Sequence, residues 1–110
     1  MTAIQASWLA GFFDGEGSIC KYKAGRNKAH DSWVLTISNT SYASLFFSKL
    51  ITGVGAIHPK GKPKKKHHKK QWTWKVHAQR DILSILNQLL PYLIIKKKAS
   101  DKFIKSFKEV

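Results

Sequence analysis

Two carboxylates, Asp14 and Glu16, stand two residues apart, and Glu16 lies between Gly15 and Gly17. An acid at the end of a helix opposes the helix dipole. The chain around these two is strongly basic, so both need a cation or another partner. Glu16 is the better metal ligand, because its glycine neighbours leave room around the carboxylate. Hard cations such as Mg²⁺ prefer carboxylate, carbonyl, phosphate and water oxygens. A cation held there can activate water and neutralise charge at a phosphodiester. The same residues could equally form a capping turn with two solvated acids. One carboxylate is a weak site, and two copies side by side make a stronger one. The segment occurs once in this chain.

The element that must position these acids is a helix over Ile4–Asp14, ended by Gly15-Glu16-Gly17. At 100° per residue, Ala6, Ser7, Ala10, Gly11 and Asp14 share one sector. Trp8, Leu9, Phe12 and Phe13 fall opposite. The aromatic side is expected to enter the chain's own core. The small side is expected to meet another helix backbone closely, in the manner of small residues spaced four apart. Gly11 costs a helix roughly 1 kcal/mol against alanine, and close contact is the physical reason to keep it. Ala6, Ser7, Ala10, Gly11 and Asp14 are thus the expected dimer interface. Gly15 and Gly17 are expected to supply positive φ at the helix end.

Residues 9–17, Leu-Ala-Gly-Phe-Phe-Asp-Gly-Glu-Gly, followed by Ser18-Ile19, resemble the LAGLIDADG motif of homing endonucleases. The resemblance extends over most of the chain. It implies an αββαββαα fold and, for a chain with one motif, a homodimer. It implies that Glu16 and the backbone carbonyl of Gly15 bind metal between paired motif helices, with glutamate as an accepted variant of aspartate. Asp14 matches the motif's first acid, which is mainly structural. The segment Pro91-Tyr-Leu-Ile-Ile-Lys96 resembles the family's stretch that leads to a lysine near the scissile phosphate, which makes Lys96 a catalytic candidate, with Lys98 the alternative. The bland reading of Lys96 is a solvated lysine on a basic helix. The family often places a glutamine or another polar residue where Asn39 ends a strand, to position water. Asn39 is shorter, and a helix-leading turn is its other role. Tyr42-Ala43-Ser44 offers no basic residue where family members often carry one.

The length, 110 residues, suits a single domain over 1–110. One cysteine, Cys20, excludes an internal disulfide and fits a reducing compartment. No apolar run is long enough to cross a membrane, and no secretory signal opens the chain. The expected setting is intracellular, in an organelle or a bacterial cytoplasm where a host intron would lie. A start at Met1 with a short lead into the helix suggests a natural beginning rather than half of a two-motif protein.

Net charge is +14, from 20 basic and 6 acidic residues, which points to a polyanion. Seven lysines and no acid fall within residues 58–70. Lys60, Lys62, Lys64, Lys65 and Lys66 are expected to contact phosphates, which adds affinity and salt dependence without sequence information. His67-His68 lacks the further ligands that a metal site needs.

Alternation marks the rest. A strand runs over Gly17–Lys23 and a clearer one over Ser32–Asn39, where Trp33, Leu35 and Ile37 share a face. Ser41 caps a helix over Tyr42–Thr52. Ala56–Lys60 and Gln71–Ala78 form a second hairpin, with Trp72, Trp74 and Val76 on one side. Helices follow over Asp81–Leu90 and Ile94–Phe107, the last carrying Lys96, Lys97, Lys98, Lys102 and Lys105. The expected class is α+β, a four-stranded antiparallel saddle with helices on one face. Its other face would present Ser32, Thr36, Ser38, His58, Thr73, Lys75 and His77 toward a DNA groove, or toward solvent as an ordinary polar face. In the first strand Ser18, Cys20 and Tyr22 would face outward. Lys21 and Lys23 then fall on the core side, by snorkelling or through a bulge.

The leading expectation is a Mg²⁺-dependent endonuclease, Mn²⁺ a substitute, that cuts double-stranded DNA as a homodimer at a long, roughly palindromic site. An RNA maturase or a DNA-binding regulator could use the same fold without cleavage. A basic RNA-scaffold protein explains the charge but not the small-faced helix with two acids.

Overall fold

The structure, a computed structural model, describes residues 1–28, 30–61 and 69–108. The chain opens with α1, Ala3–Glu16. Thr2 and Gln5 start it with a reciprocal cap: the Thr2 hydroxyl accepts from Gln5 N at 3.1 Å, and Gln5 Oε1 accepts from Thr2 N at 2.9 Å. Two N–H groups that lack intrahelical partners are satisfied this way. Strands β1, Gly17–Ala24, and β2, His30–Asn39, follow as a hairpin. Helix α2, Tyr42–Thr52, is capped by Ser41, whose Oγ accepts from Ser44 N at 3.2 Å. It ends on Gly53 at φ 74°, a left-handed position that favours glycine. Strands β3, Ala56–Pro59, and β4, Trp72–Val76, come next, then α3, Gln79–Leu89, and α4, Lys97–Lys108. The order is αββαββαα.

The sheet is antiparallel with strand order β1-β2-β4-β3. Its register places Ile19, Leu35 and Val76 in one row and Ile37, Trp74 and Ile57 in another. Leu35, Ile37, Trp74 and Val76 are buried under Leu9, Phe13, Leu45, Ile82, Leu86 and Phe103 of the helices. Each fully buried side chain of this size contributes roughly 1.5–3 kcal/mol. Trp74 also satisfies its indole N–H, which donates to Val54 O at 3.0 Å.

β4 stops at Val76, opposite Leu35, so Trp33 of β2 has no strand partner on that side. The Gln79 side chain takes the strand's place. Its Nε2 donates to Trp33 O at 2.9 Å, and its Oε1 accepts from Trp33 N at 3.1 Å. Two backbone groups that burial would otherwise leave unpaired are thereby satisfied.

β1 pairs with β2 without a bulge, from Gly17 opposite Ile37 to Ala24 opposite His30. Ser18, Cys20 and Tyr22 therefore do face outward. Lys21 and Lys23 lie past the edge of the core and reach Asp31, at 3.7 and 2.6 Å. The hydrogen bond from Lys23 is the main reason the Asp31 carboxyl is held below its ordinary pKa.

Three expectations are corrected. Ala6, Ala10 and Asp14 do not face a second chain, because they are buried in this one. The 100° steps fix which residues share a sector, but not which sector meets the sheet. The buried side of α1 is Ala6, Leu9, Ala10, Phe13 and Asp14. Neither Gly15 nor Gly17 takes a positive φ; Gly17 stands at −94°. It is glycine because a Cβ there would overlap the Phe13 ring and lie 2.8 Å from the Phe13 carbonyl oxygen. The last helix begins at Lys97 rather than Ile94, because residues 94–96 bend around Asp14.

Candidate active site and nucleic-acid interface

The end of α1 carries the acids. Asp14 turns inward and accepts three backbone hydrogen bonds, from Ile94 N at 2.8 Å, Ile95 N at 3.1 Å and Lys96 N at 2.9 Å. Successive N–H groups of a bend make an anion cradle, and here the anion is a side chain of the same protein. Asp14 thus finds its partner in the backbone.

That bend places Lys96. Its Nζ donates to Asp14 O at 3.2 Å. Asp14 O is one of the last four carbonyls of α1, which have no intrahelical partner, and a cation there also complements the helix dipole. Lys96 is partly buried, whereas Lys97 and Lys98 are exposed. Lys96 is therefore held at the end of α1 by its bond to the Asp14 carbonyl.

Glu16 is the last residue of α1 and is exposed. Its carboxylate makes no hydrogen bond or ion pair among the described residues. Gly15 is exposed too, with open space where a Cβ would stand. A hard divalent cation needs six or more oxygens. One free carboxylate beside the end-of-helix carbonyls fits such an ion as half of its set, and among the described residues no three His, Cys, Asp or Glu side chains converge. Gly17 stands opposite Ile37, so Glu16 meets the sheet at the end of β2 that finishes in Asn39. Asn39 Oδ1 accepts from Ser41 N at 2.8 Å and leads the chain into the α2 cap. Its side-chain NH₂ makes no hydrogen bond among the described residues.

The register puts the expected polar residues on one face. Ser18, Thr36, Lys75 and Ala56 form one row, and Ser38, Thr73 and His58 the next. Ser32 pairs with Tyr22 in a further row. Lys60 continues the β3 side of the hairpin, its N–H donating to Gln71 O at 2.9 Å. Lys75 and Thr36 are partly exposed, and His58, Lys60 and His77 are exposed. Thr73 is a correction: it is buried, and its hydroxyl is 2.8 Å from that of Ser38. Neighbours on both sides, Ser38 and His58, close over this central-strand position. Lys62, Lys64, Lys65 and Lys66 lie outside the described residues. Tyr22 was not counted among the interface candidates. It stands on the same face, its ring 6.4 Å from that of His77. Its alternation with Ser18 and Cys20 was the signal, obscured by Lys21 and Lys23.

Of the expected dimer residues, Ser7 and Gly11 are exposed. They share the outer side of α1 with Ile4, 82% exposed, and Trp8. Trp8 meets Phe47 of α2 edge to face at 4.9 Å, and Phe46 and Leu50 are exposed nearby on the same helix. The bare surface at the start of the chain is therefore apolar as well as small, and spans two helices.

No protein-family model and no curated protein sequence matches this chain. Solved structures do. The homing endonuclease I-CvuI, in complex with its DNA target in the presence of calcium, superposes with a TM-score of 0.79 at 24% identity, over 97% of this chain and 68% of that one. The archaeal intron-encoded homing endonuclease I-Vdi141I, complexed with DNA, matches with a TM-score of 0.73 at 18% identity, over 93% of this chain and 65% of that one. The LAGLIDADG homing endonuclease I-GzeII, with its DNA target, matches at 0.77 and 23% identity, over 98% of this chain but 37% of that one. This chain thus spans about two thirds of the first two and little more than a third of the third. It folds as a LAGLIDADG homing-endonuclease domain.

Proposed function

We propose that the protein is a site-specific endonuclease of double-stranded DNA, acting as a homodimer. The observation that supports this reading is at the end of α1, where Lys96 donates to the Asp14 carbonyl and Glu16, two residues on, is exposed. An anchored ammonium and an exposed carboxylate with no hydrogen bond or ion pair among the described residues thus belong to one helix end, where the polar sheet begins.

Each group has a role. Glu16, with the Gly15 carbonyl, would hold half the oxygen set of a Mg²⁺ or Mn²⁺ ion, and the partner's copy would hold the other half. Such an ion supplies an activated water and charge neutralisation at the scissile phosphate. Lys96 offers positive charge to the phosphate as negative charge develops there. Asn39 keeps its amide NH₂ to donate to a water. Ser32, Thr36, Ser38, Lys75 and His77 face the groove, where side chains read base edges. His58 and Lys60 flank the backbone. The dimer uses the exposed side of α1, Ser7 and Gly11, extended by Trp8, Phe47 and Leu50. Two-fold symmetry then makes the target roughly palindromic. The setting proposed is intracellular, in the compartment of a host intron.

The test is cleavage of a library of long target sites in Mg²⁺, by wild type and by Glu16→Gln. Wild type should cut at least one site on both strands. The variant should bind that site with unchanged affinity and leave it whole. If both bind and neither cuts, the endonuclease reading fails, and a role in binding DNA or RNA without cleavage takes its place.

A further inference from the structure

Helix α2 is packed with its apolar side out. The residues it turns inward are Leu45 and Ser48, both fully buried, with Ser44 and Thr52 beside them. The Ser48 hydroxyl donates to Ser44 O at 2.9 Å and the Thr52 hydroxyl to Ser48 O at 2.8 Å, so this polar row needs no partner from the sheet. The exposed residues are Tyr42, Ala43, Phe46, Phe47, Lys49 and Leu50, of which only Lys49 is charged. A contiguous apolar surface on one element marks a place of interaction. The proposed dimer takes Phe47 and Leu50, beside Trp8. Tyr42 and Phe46 lie about 140° and 100° round the helix from Phe47, outside that contact.

What remains is an aromatic row edged with cations. The Tyr42 and Phe46 rings stack at 6.3 Å and are 46% and 50% exposed. Trp72 of β4 meets Tyr42 edge to face at 5.0 Å, and the Lys70 ammonium lies 4.4 Å from the Trp72 ring centre. Lys49 follows Phe46 at a step of three, on the same side of α2. No acid occurs between Asp31 and Asp81, the stretch that contains all of these residues, so the surface attracts anions. Tyrosine and tryptophan combine an apolar body with a polar tip, which suits the boundary between membrane and water. The rings stand on the outward side of a single helix, whereas a helical peptide docks in a groove. A second copy would bring like charges together, Lys49 and Lys70 against their own counterparts. A layer of anionic headgroups moulds to an outward face and complements its lysines.

We propose that Tyr42, Phe46 and Trp72, with Lys49 and Lys70, form a docking surface for an anionic lipid membrane. The protein rests on the membrane and does not span it, since no helix among the described residues is long and apolar enough to cross. Phe46 lies about 160° round α2 from the buried Ser48, so it faces away from the sheet. The polar sheet face therefore stays open while the membrane is bound. The inference does not rest on cleavage or on the dimer, since neither Glu16 nor Gly11 takes part.

The test is co-sedimentation of the full chain with vesicles of phosphatidylcholine containing about one third phosphatidylglycerol, in about 0.15 M salt. Wild type should bind these vesicles, and pure phosphatidylcholine roughly tenfold more weakly. Tyr42→Ser/Phe46→Ser should weaken binding to the mixed vesicles about tenfold, whereas Phe46→Trp should bind as tightly as wild type. Lys49→Gln/Lys70→Gln should weaken it about tenfold. Lys102→Gln/Lys105→Gln, the same loss of charge from exposed positions of α4, should weaken it less than about threefold. Thermal melting checks the fold of each variant, and the two lysine pairs decide the matter if the aromatic variant does not fold. Absence of binding by wild type, wild-type affinity in Tyr42→Ser/Phe46→Ser, or equal losses in the two lysine pairs overturns the proposal. If the aromatic variant keeps vesicle binding and loses self-association in sedimentation, the face belongs to a second copy and the proposal falls.

Discussion

Lys96 is tied to Asp14 twice: its backbone N–H donates to Asp14 Oδ1 at 2.9 Å, and its ammonium to the Asp14 carbonyl at 3.2 Å. The first bond shapes the chain, and the second aims the side chain. One acid, buried and already partnered, thereby fixes where a cation stands relative to a second acid, Glu16, which is exposed. The two carboxylates thus differ in setting, one buried and bonded to the backbone, the other facing outward.

Removing the Asp14 carboxylate should unsettle the fold before it affects any reaction. Asp14→Ala leaves three backbone N–H groups without their acceptor. Hydrogen bonds to a charged group contribute about 1.5–3 kcal/mol each, and they are not additive. A loss of about 2–4 kcal/mol in unfolding free energy is expected, read by urea titration. Asp14→Asn keeps one acceptor oxygen and should lose roughly half as much.

Lys96 and its neighbour Lys98 should separate cleanly. Lys96→Gln removes a positioned charge at the proposed phosphate site, and a lost electrostatic stabiliser typically lowers turnover by about 10²–10³. DNA affinity should change by less than about threefold, since a single phosphate contact is a small part of a salt-dependent total. Lys98→Gln, exposed on α4, should cut at nearly the wild-type rate. Single-turnover cleavage with saturating protein distinguishes the two.

Strand alternation and the motif made much of this arrangement legible. Leu35 and Ile37 against Thr36 and Ser38, and Trp74 and Val76 against Lys75, declared both faces of the sheet. The Asp14 cradle could not be read, because its partners are backbone N–H groups about 80 residues away, and backbone donors have no sequence signature. The inward turn of Ala6 and Ala10 was hidden for a different reason. Helical spacing gives relative angles alone, and the absolute orientation of α1 comes from tertiary packing. Lys21 and Lys23 disguised the phase of β1 because their partner, Asp31, sits across the hairpin, just before the alternation of the second strand begins at Ser32.

That lysine pair gives the fold a pH dependence of known sign. The hydrogen bond from Lys23 lowers the Asp31 pKa, desolvation opposes it, and the charges of Lys23 and Lys21 add to the lowering. A group whose folded-state pKa is depressed contributes stability above its unfolded value, here 3.8, and loses it as pH falls through the lower folded value. Near neutral pH this contribution is constant. The Asp31 carboxyl followed by NMR should titrate below its ordinary value in wild type. In Lys23→Gln the midpoint should move up toward that value. Added salt should move it the same way, since both groups are exposed to solvent.

Gly11 and Gly17 test the proposed dimer against simple folding. A Cβ on Gly17 would overlap Phe13, so Gly17→Ala should destabilise the chain by about 1–3 kcal/mol whether or not it associates. A Cβ on Gly11 would meet nothing within 4 Å in the single chain. Gly11→Ala should therefore raise the stability of the isolated chain by about 0.8–1 kcal/mol, the helix propensity difference. Between two α1 helices packed on this side, the added methyl groups would hold the backbones apart. Sedimentation should then show Gly11→Ala weakening self-association while thermal melting shows a firmer monomer. A variant that melts higher and associates as wild type does would rule out α1 packing through this face, and with it the joining of two Glu16 carboxylates into one site.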